Sequence, residues 1–542
     1  ILCNSQRNVF DLTCLIPLFL YYLYQESEEK IPAGNEEKPS ENTPQKVCHF
    51  VHDVSINDCN KTKLQRPEPL ISLNARLIWR FEDTDDNGTD ELFLDYYDGT
   101  GRRDPFELKT DTEGRYYFES PVGVYLKLKS AGGGMYEIID GSGTRMYFTR
   151  YDVPETFLLS GIEDRHGNRL DVLRSVDGKL MSVVDPEWRF TDFEYGEDDE
   201  ENLLKSITDF TGRKVEFDYD PDTHRYLTEA RLMSSEDDQG ASTELDKESY
   251  TYCNDNTTDY SSAEYNVKTN LHTVTDARDQ TCLRVDYDSE DRVTRQYYGS
   301  GATAQTSPYW QFTYNSGSTV VTDREGNPTT YTWNGSKEYL MSAFTDAAGN
   351  TTNYTCTPGE EYDTITYPLG KSVAYAYQTT DNPVKKGNVV TVTQTPDGRG
   401  TGGSSSSLSS STVYTDAGDF SGATDTTVEY WNFVKSSTDA KGYTTNNIYN
   451  ENGNLIRTEA NNITLSDGST QSIITRFRYN DRGQLVATLN PDGSMAWNQY
   501  YDSTDYMNDP KDTEGFLKRT IQSVEKTGFT INTNAPENPR DS

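Results

Sequence analysis

The chain has 542 residues, 33% of them apolar and 12% aromatic, with 38 Tyr and 20 Phe. Lys and Arg total 50 against 88 Asp and Glu, a net charge of −38, which argues against a broad nucleic-acid or anionic-membrane surface because both need a basic footprint. This many aromatic residues also excludes disorder throughout, and with abundant Thr, Asp, Asn and Gly the composition points to many short strands joined by tight turns.

Leu12 to Tyr24 is the only sustained apolar run. Its thirteen residues fall short of the roughly 20 that a membrane helix needs, and Pro17 interrupts them, so no membrane span is expected. The run has the length of an export-signal core, but Arg7 is the only basic residue before it and no small-residue cleavage site follows at Gln25 to Glu28. It reads either as an atypical signal or as a short apolar plug. Together with the Glu-, Lys- and Pro-rich stretch behind it, the segment 1–67 is expected to lie outside the main fold.

Seven cysteines stand at 3, 14, 48, 59, 253, 282 and 356, an odd count with no C-x-x-C pair, so scattered free thiols are expected in place of a disulfide framework. Cys48, His49, His52 and Cys59 offer soft ligands in a spacing that fits no common structural zinc pattern. Residues 68–160 read as a lead-in β region. Within it Asp83, Asp85, Asn87 and Gly88 follow the opening of a calcium loop, yet position 12 holds Leu94, with Asp95 one residue late. An acidic turn between Leu77–Phe81 and Leu92–Leu94 is the alternative.

From there a repeat runs to about residue 530. Asp-x-x-Gly followed by a polar or aromatic residue occurs at Asp111, Asp164, Asp209, Asp323, Asp346 and Asp439, and a copy without the Gly starts at Asp276. From Asp164 the gaps are 45, 67, 47, 23 and 93 residues, near two, three, two, one and four units of about 22–23. The first gap, 53 residues from Asp111 to Asp164, does not fit.

Each turn leads into an alternating stretch. In Arg213 to Tyr219, Val215, Phe217 and Tyr219 share one face while Lys214, Glu216 and Asp218 share the other, as a half-buried strand requires. A second turn type is led by Tyr, at Tyr287, Tyr449 and Tyr479. One unit is therefore strand, Tyr-led turn, strand, Asp-x-x-Gly turn. The Asp carboxylate accepts backbone N–H groups further on, and Gly supplies the positive φ that closes the hairpin, so turn geometry accounts for these acids better than catalysis or ion binding.

Units such as Tyr449-Asn-Glu-Asn-Gly-Asn-Leu455 and Asp346-Ala-Ala-Gly-Asn-Thr-Thr-Asn-Tyr354 resemble the YD repeats of RHS proteins, wall-associated bacterial proteins and the teneurin shell. Gly114 to Tyr125, with Gly141 to Phe148, is similar to the region ahead of such repeats. The resemblance covers about residues 70 to 530. It implies an all-β fold of antiparallel hairpins wound into a spiral shell, enclosing a C-terminal toxin cargo in bacterial relatives and binding partners at the cell surface in others. It also implies a scaffold without enzymatic activity, secreted or at the cell surface. Toxin-bearing relatives carry an Asp-Pro-x-Gly cleavage segment. The Asp-Pro steps here start at Asp104, Asp185, Asp220 and Asp509, and none has Gly in fourth place. The expectation is part of a shell, truncated at both ends, with residues 161–530 as the repeats and 531–542 as a disordered tail.

No phosphate loop, dinucleotide fingerprint, G-x-S-x-G or H-E-x-x-H occurs. No catalytic, cofactor-binding or metal-binding residue is singled out. The five histidines (49, 52, 166, 224, 272) are dispersed, and His166 inside an Asp-x-x-Gly turn reads as a surface residue. Tyr250/Tyr252, Tyr331/Trp333, Tyr375/Tyr377 and Phe477/Tyr479 each place two rings on one strand face. They serve either as cross-strand ladders or as stacking platforms for a glycan or an unfolded cargo chain. A flexible Gly/Ser-rich insertion is expected at Gly398 to Ser411, with strands resuming at Val413. An adhesive or carbohydrate-binding surface protein, and a polysaccharide-cleaving enzyme on a β-scaffold, remain as rival readings.

Overall fold

The computed structural model describes residues 73–523 apart from short internal stretches, the longest being 254–269, 502–514 and 398–405. The apolar run at Leu12–Tyr24, the 48–59 ligand set, His224 and the tail at 531–542 lie outside the described residues, as do positions 84–89 of the acidic loop and the first half of the Gly/Ser-rich insertion.

The described residues form 34 strands and three single-turn 3₁₀ segments, with no α-helix among them. From the sixth strand (Met135–Ile139) to the thirty-fourth (Leu517–Ser523), every strand pairs antiparallel with its predecessor. The fold is all-β, built of consecutive hairpins, as the alternation of turn types predicts. Val215, Phe217 and Tyr219 are buried on one face of Lys214–Tyr219, while Lys214, Glu216 and Asp218 are partly exposed on the other.

Strand Thr156–Glu163 is a branch point. One side pairs with Arg145–Arg150; the other is divided between Arg76–Glu82 at residues 156–158 and Arg169–Arg174 at residues 161–163. The first four strands thereby join the ribbon from the side. The largest core runs from Leu77, Leu94, Phe106 and Phe148 through Phe193 and Phe217 to Ala230, so the lead-in strands and the first repeats share one apolar interior. Later strands expose both faces more fully. Hydroxyl pairs such as Thr345–Thr351 (2.9 Å) and Thr438–Thr444 (2.9 Å) link them across the polar face, where Glu194, Lys214, Glu216 and Arg231 form an ion-pair ladder in the earlier repeats.

The structure corrects three readings of the spacing. Between Asp111 and Asp164 lies a further turn, Asp140-Gly-Ser-Gly143-Thr144, whose Asp140 Oδ1 accepts from Ser142 N and Thr144 N. The gaps of 67 and 93 residues hold two and three units, not three and four, because the connections after Tyr252 and Tyr414 are long. A strand begins at Leu408, ahead of Val413, since Ser409 pairs with Thr393 and keeps the alternation going.

Candidate functional site: the seam of the wound sheet

The Asp-x-x-Gly turns at Asp140, Asp164, Asp209, Asp323, Asp346 and Asp439 follow even-numbered strands, on one edge of the ribbon, while the copy at Asp111 follows the third strand. In the turn at Asp164, Oδ1 accepts from His166 N (2.8 Å) and Asn168 N (3.0 Å), and Gly167 N donates to Asp164 O. Gly167 has φ +80°, which L side chains rarely adopt. Two copies dispense with Gly: Asp279 (φ 57°) closes the degraded turn at Asp276, and Trp188 (φ 61°) closes Asp185-Pro-Glu-Trp188-Arg189, a copy that the pattern search misses because it demands Gly.

The Tyr-led turns follow odd-numbered strands, and the residue just before the Tyr marks a register shift, as at Asp218/Tyr219, Asp286/Tyr287, Ile448/Tyr449 and Gln499/Tyr500. A bulge re-aims the side chain. Here it turns each hydroxyl toward the carbonyl that opens the preceding strand. Tyr219 donates to Leu204 O, Tyr252 to Leu227 O, Tyr287 to Leu271 O, Tyr449 to Val434 O and Tyr500 to Leu485 O, all within 2.8–3.0 Å. The recurring Tyr is a rivet between neighbouring hairpins along one edge.

These edges meet. The turn after the sixth strand (Met135–Ile139) touches the loop after the twenty-seventh (Leu408–Tyr414): Asn432 N donates to Gly141 O at 2.8 Å, and Arg145 pairs with Asp425. The turn after the eighth strand (Thr156–Glu163) touches that after the twenty-ninth (Thr444–Tyr449), where Arg165 Nε donates to Asn452 O at 3.1 Å. The turn after the tenth (Leu180–Val184) touches that after the thirty-first (Thr470–Tyr479) through Glu187 and Arg482. After the fourth (Tyr116–Glu119) and the twenty-fifth (Ser372–Tyr377), the ring of Tyr125 covers Gly387 so closely that a Cβ would overlap it. The offset is 21 strands each time.

A second set of contacts falls at 23. Asn168 Nδ2 donates to Arg482 O at 3.0 Å, and the Arg189 guanidinium lies 4.7 Å from the Phe516 ring centre. The turns at Asp164 and Asp185 each rest in the notch between two Tyr-led turns of the next circuit. The ribbon is wound, and one circuit takes about 22 strands.

Chemically the seam combines three devices. Arg165 packs 5.2 Å from the Phe433 ring while donating to backbone carbonyls of Asn452 and Ser142. Trp431, only 1% exposed, fills the space over Gly143 and Gly453, where a Cβ would come within 2.7 Å and 3.1 Å of the indole. His166 lies on Gly483 in the same way. Burial, and then the neighbouring Arg165 charge, hold the His166 pKa below its ordinary value against a smaller opposing pull from Asp164. The expectation of a surface histidine is thereby revised: it is half-buried in a joint.

The other expected residues fall elsewhere. Leu94 is fully buried in the core, and Asp95, 2% exposed, is engaged by Arg80 (2.8 Å) and Arg103 (3.3 Å), so neither completes a calcium loop. No group of three or more metal-ligating side chains occurs among the described residues. Among the described residues no disulfide links Cys253, Cys282 and Cys356. Among the aromatic pairs, Tyr331 contacts Phe344 across strands (5.2 Å), and Tyr252 and Tyr377 donate to backbone carbonyls. Tyr331 thus takes part in a cross-strand ring contact, and the hydroxyls of Tyr252 and Tyr377 tie neighbouring strands together. Sequence reasoning missed the seam itself, since its partners lie nearly three hundred residues apart.

Residues 449–495 match the family model described as RHS Repeat. The chain carries an RHS repeat. That repeat contains two of the Tyr-led turns, 450–454 and 480–484, that receive the first circuit at the seam. No curated protein matches the chain. Among solved structures, the chain is similar to one titled TcdB2-TccC3-Cdc42 (11% identity, TM-score 0.29, covering 79% of this chain and 23% of that one). It is also similar to a mutant Tc holotoxin pore of Photorhabdus luminescens (11% identity, TM-score 0.29, 78% and 30%). The chain spans about a quarter of the length of these structures, and at such TM-scores the likeness carries no argument of its own.

Proposed function

We propose that this chain is a stretch of wall in an RHS-type shell that encloses a polypeptide cargo, a toxin delivered between cells. The observation that carries this reading is the recurrence of seam contacts at offsets of 21 and 23 strands. With strands about 4.8 Å apart, a circuit of that size is about 100 Å round and about 32 Å across. Side chains about 5 Å deep on each wall leave a bore of about 20 Å, wider than a side-chain-filled barrel and in the range where barrels become channels. A bore of that width suits an unfolded or partly folded chain.

In this reading residues 68–160 are the lead-in and 161–530 the wall, and the protein acts as a scaffold, not as an enzyme. It is secreted or at the cell surface, and the acidic surface keeps a large sheet soluble and discourages edge-to-edge pairing. Rings committed to cross-strand contacts and backbone carbonyls favour a wall over a glycan-stacking surface. No helix of the described residues is long and apolar enough to cross a membrane.

The test is protection of a passenger. A small, destabilised reporter fused after Ser542 should resist added protease in the intact fusion and become sensitive when Arg165→Glu opens the seam. A reporter digested as fast as the free polypeptide would sink the container reading.

A further inference from the structure

Asn stands directly before Gly at 87, 334 and 452. In such a pair the following backbone nitrogen can reach the Asn side-chain amide, since Gly has no Cβ to obstruct it. Asn87 lies outside the described residues. The other two pairs sit in opposite surroundings. Gly335 is exposed, and nothing approaches within 4 Å of a Cβ placed on it. Gly453 is buried at the seam, where a Cβ would come within 3.1 Å of both Arg165 and Trp431.

The peptide group between Asn452 and Gly453 is held at both ends. Its carbonyl oxygen accepts from Arg165 Nε (3.1 Å), which belongs to the other circuit, and its N–H donates to Asn450 O (3.0 Å) inside the turn. The N–H of Asn452 is fixed as well, on Asn450 Oδ1 (3.1 Å), while the Asn452 side chain is exposed. The amide is therefore accessible, and the backbone nitrogen that would attack it is restrained.

We propose that Asn452 is a deamidation site that the closed seam silences and that, once used, keeps the seam open. When the seam parts, the Gly453 nitrogen bonds to Cγ of Asn452, the Cγ–Nδ2 bond breaks, and ammonia leaves carrying the proton from Gly453 N. Water then opens the succinimide ring at either carbonyl, giving Asp or isoaspartate.

Isoaspartate routes the main chain through Cβ and lengthens it by one carbon. Gly453, packed under Trp431 and against Arg165, leaves no room for that extra methylene. Ordinary Asp keeps the backbone as it was, so the isoaspartyl product alone blocks reclosure.

Ageing of the full chain in mildly alkaline buffer, followed by peptide mapping of Asn334 and Asn452, tests this. In the parent Asn334 should convert while Asn452 stays an amide. Arg165→Glu, or Trp431→Ala should the first variant fold poorly, should convert Asn452 at least about tenfold faster, the factor by which losing a bond from a charged donor raises the open population. Asn334 should convert at one rate in all three chains and calibrates the comparison. Parent chain aged in mild denaturant and returned to buffer supplies the isoaspartyl form. Protease should cut that form at 450–454, and an isoaspartyl methyltransferase, which returns the residue to Asp, should restore protection; Asn452→Asp should be protected from the outset. Asn452 converting as fast as Asn334 in the parent overturns the proposal, as does a rate at 452 that neither variant raises. Isoaspartyl chains as resistant as the parent overturn the claim that the change holds the seam open.

Discussion

Nε of Arg165 donates to the carbonyl oxygen of Asn452 across 287 residues of chain. That bond, with the ring of Phe433 beneath the guanidinium, joins one circuit of the sheet to the next. A charged donor on a carbonyl contributes about 1.5–3 kcal/mol, and a partly desolvated cation–π contact adds to it. Arg165→Ala should therefore destabilise the joint without touching the hairpins. The expected outcome is faster limited proteolysis at 415–433 and 450–454 with an unchanged β-sheet circular dichroism spectrum; equal loss of both signals would mean that the seam and the sheet are one unit.

Two glycines separate turn strain from seam packing. Gly349 has φ +83° and open space around it, whereas Gly483 has φ +79° and lies against the His166 ring. Gly349→Ala should cost about 1–2 kcal/mol, the usual left-handed penalty. Gly483→Ala should cost more and should also release the seam. Thermal melts of both variants, with protease mapping, check the difference.

The unit architecture was legible because its causes are local. Asp followed by Gly three residues on dictates a hairpin turn, and alternation dictates the face, so the all-β fold and its two turn types could be read from residues such as Asp346–Gly349 and Val215–Tyr219. The count of units was not legible, since the long connections after Tyr252 and Tyr414 add residues without adding strands, and the turn closed by Trp188 escaped a pattern that reserves its backbone for Gly. The seam was illegible for a different reason. Arg165 and Phe433 become neighbours only through the accumulated curvature of twenty-odd strands, which no window of sequence contains. Asp-x-x-Gly was visible at both 164 and 323, but only the structure distinguishes the turn packed into the seam from the exposed one.

The Tyr rivets are testable as a cycle. Val434 O accepts from Tyr449 OH (2.9 Å) and also from Asn447 Nδ2 (2.8 Å). Tyr449→Phe alone should cost about 0.5–1 kcal/mol, because the carbonyl keeps one donor. Adding Asn447→Ala removes the second, and the double variant should lose more than the sum of the singles. Denaturant unfolding of all four chains measures the coupling; strict additivity would show that the hydroxyl bond is incidental.

Glu248 faces the apolar side between Ala230 and Asp276, and burial pushes its pKa up to about 7, against a smaller lowering from the Tyr250 hydroxyl. Its ordinary value is 4.5, so between these limits the folded chain binds the proton that the unfolded chain has released. Stability contributed by the neutral form is full below about pH 4.5 and is lost as pH rises through about 7. Glu248→Gln keeps the shape without the charge. It should raise the melting temperature at pH 8, by an amount worth up to about 3 kcal/mol, and change little at pH 4.5. An equal effect at both pH values would place the origin in packing.

His166 runs the opposite way. Its folded pKa lies below the ordinary 6.5, so as pH falls the unfolded or undocked turn takes up the proton first. The docked, neutral ring holds its full contribution above about pH 6.5 and loses it as pH drops toward the folded value. The charges around it sharpen the effect. Arg165 stands beside it in its own turn and Arg482 in the facing one, while Asp164 is committed to turn N–H groups and Glu187 to Arg482. An imidazolium there would lose its hydration and meet the Arg165 guanidinium, with only the smaller pull of Asp164 to offset them. The seam should therefore loosen between pH 7 and 5, ahead of carboxylate protonation and with the hairpins intact. Protease sensitivity at 480–484, followed across that interval, should rise in the parent and stay flat in His166→Phe, which preserves a ring over Gly483 but cannot take a proton. A parallel rise in both would assign the acid response to the ion pairs Glu187–Arg482 and Asp425–Arg145 instead.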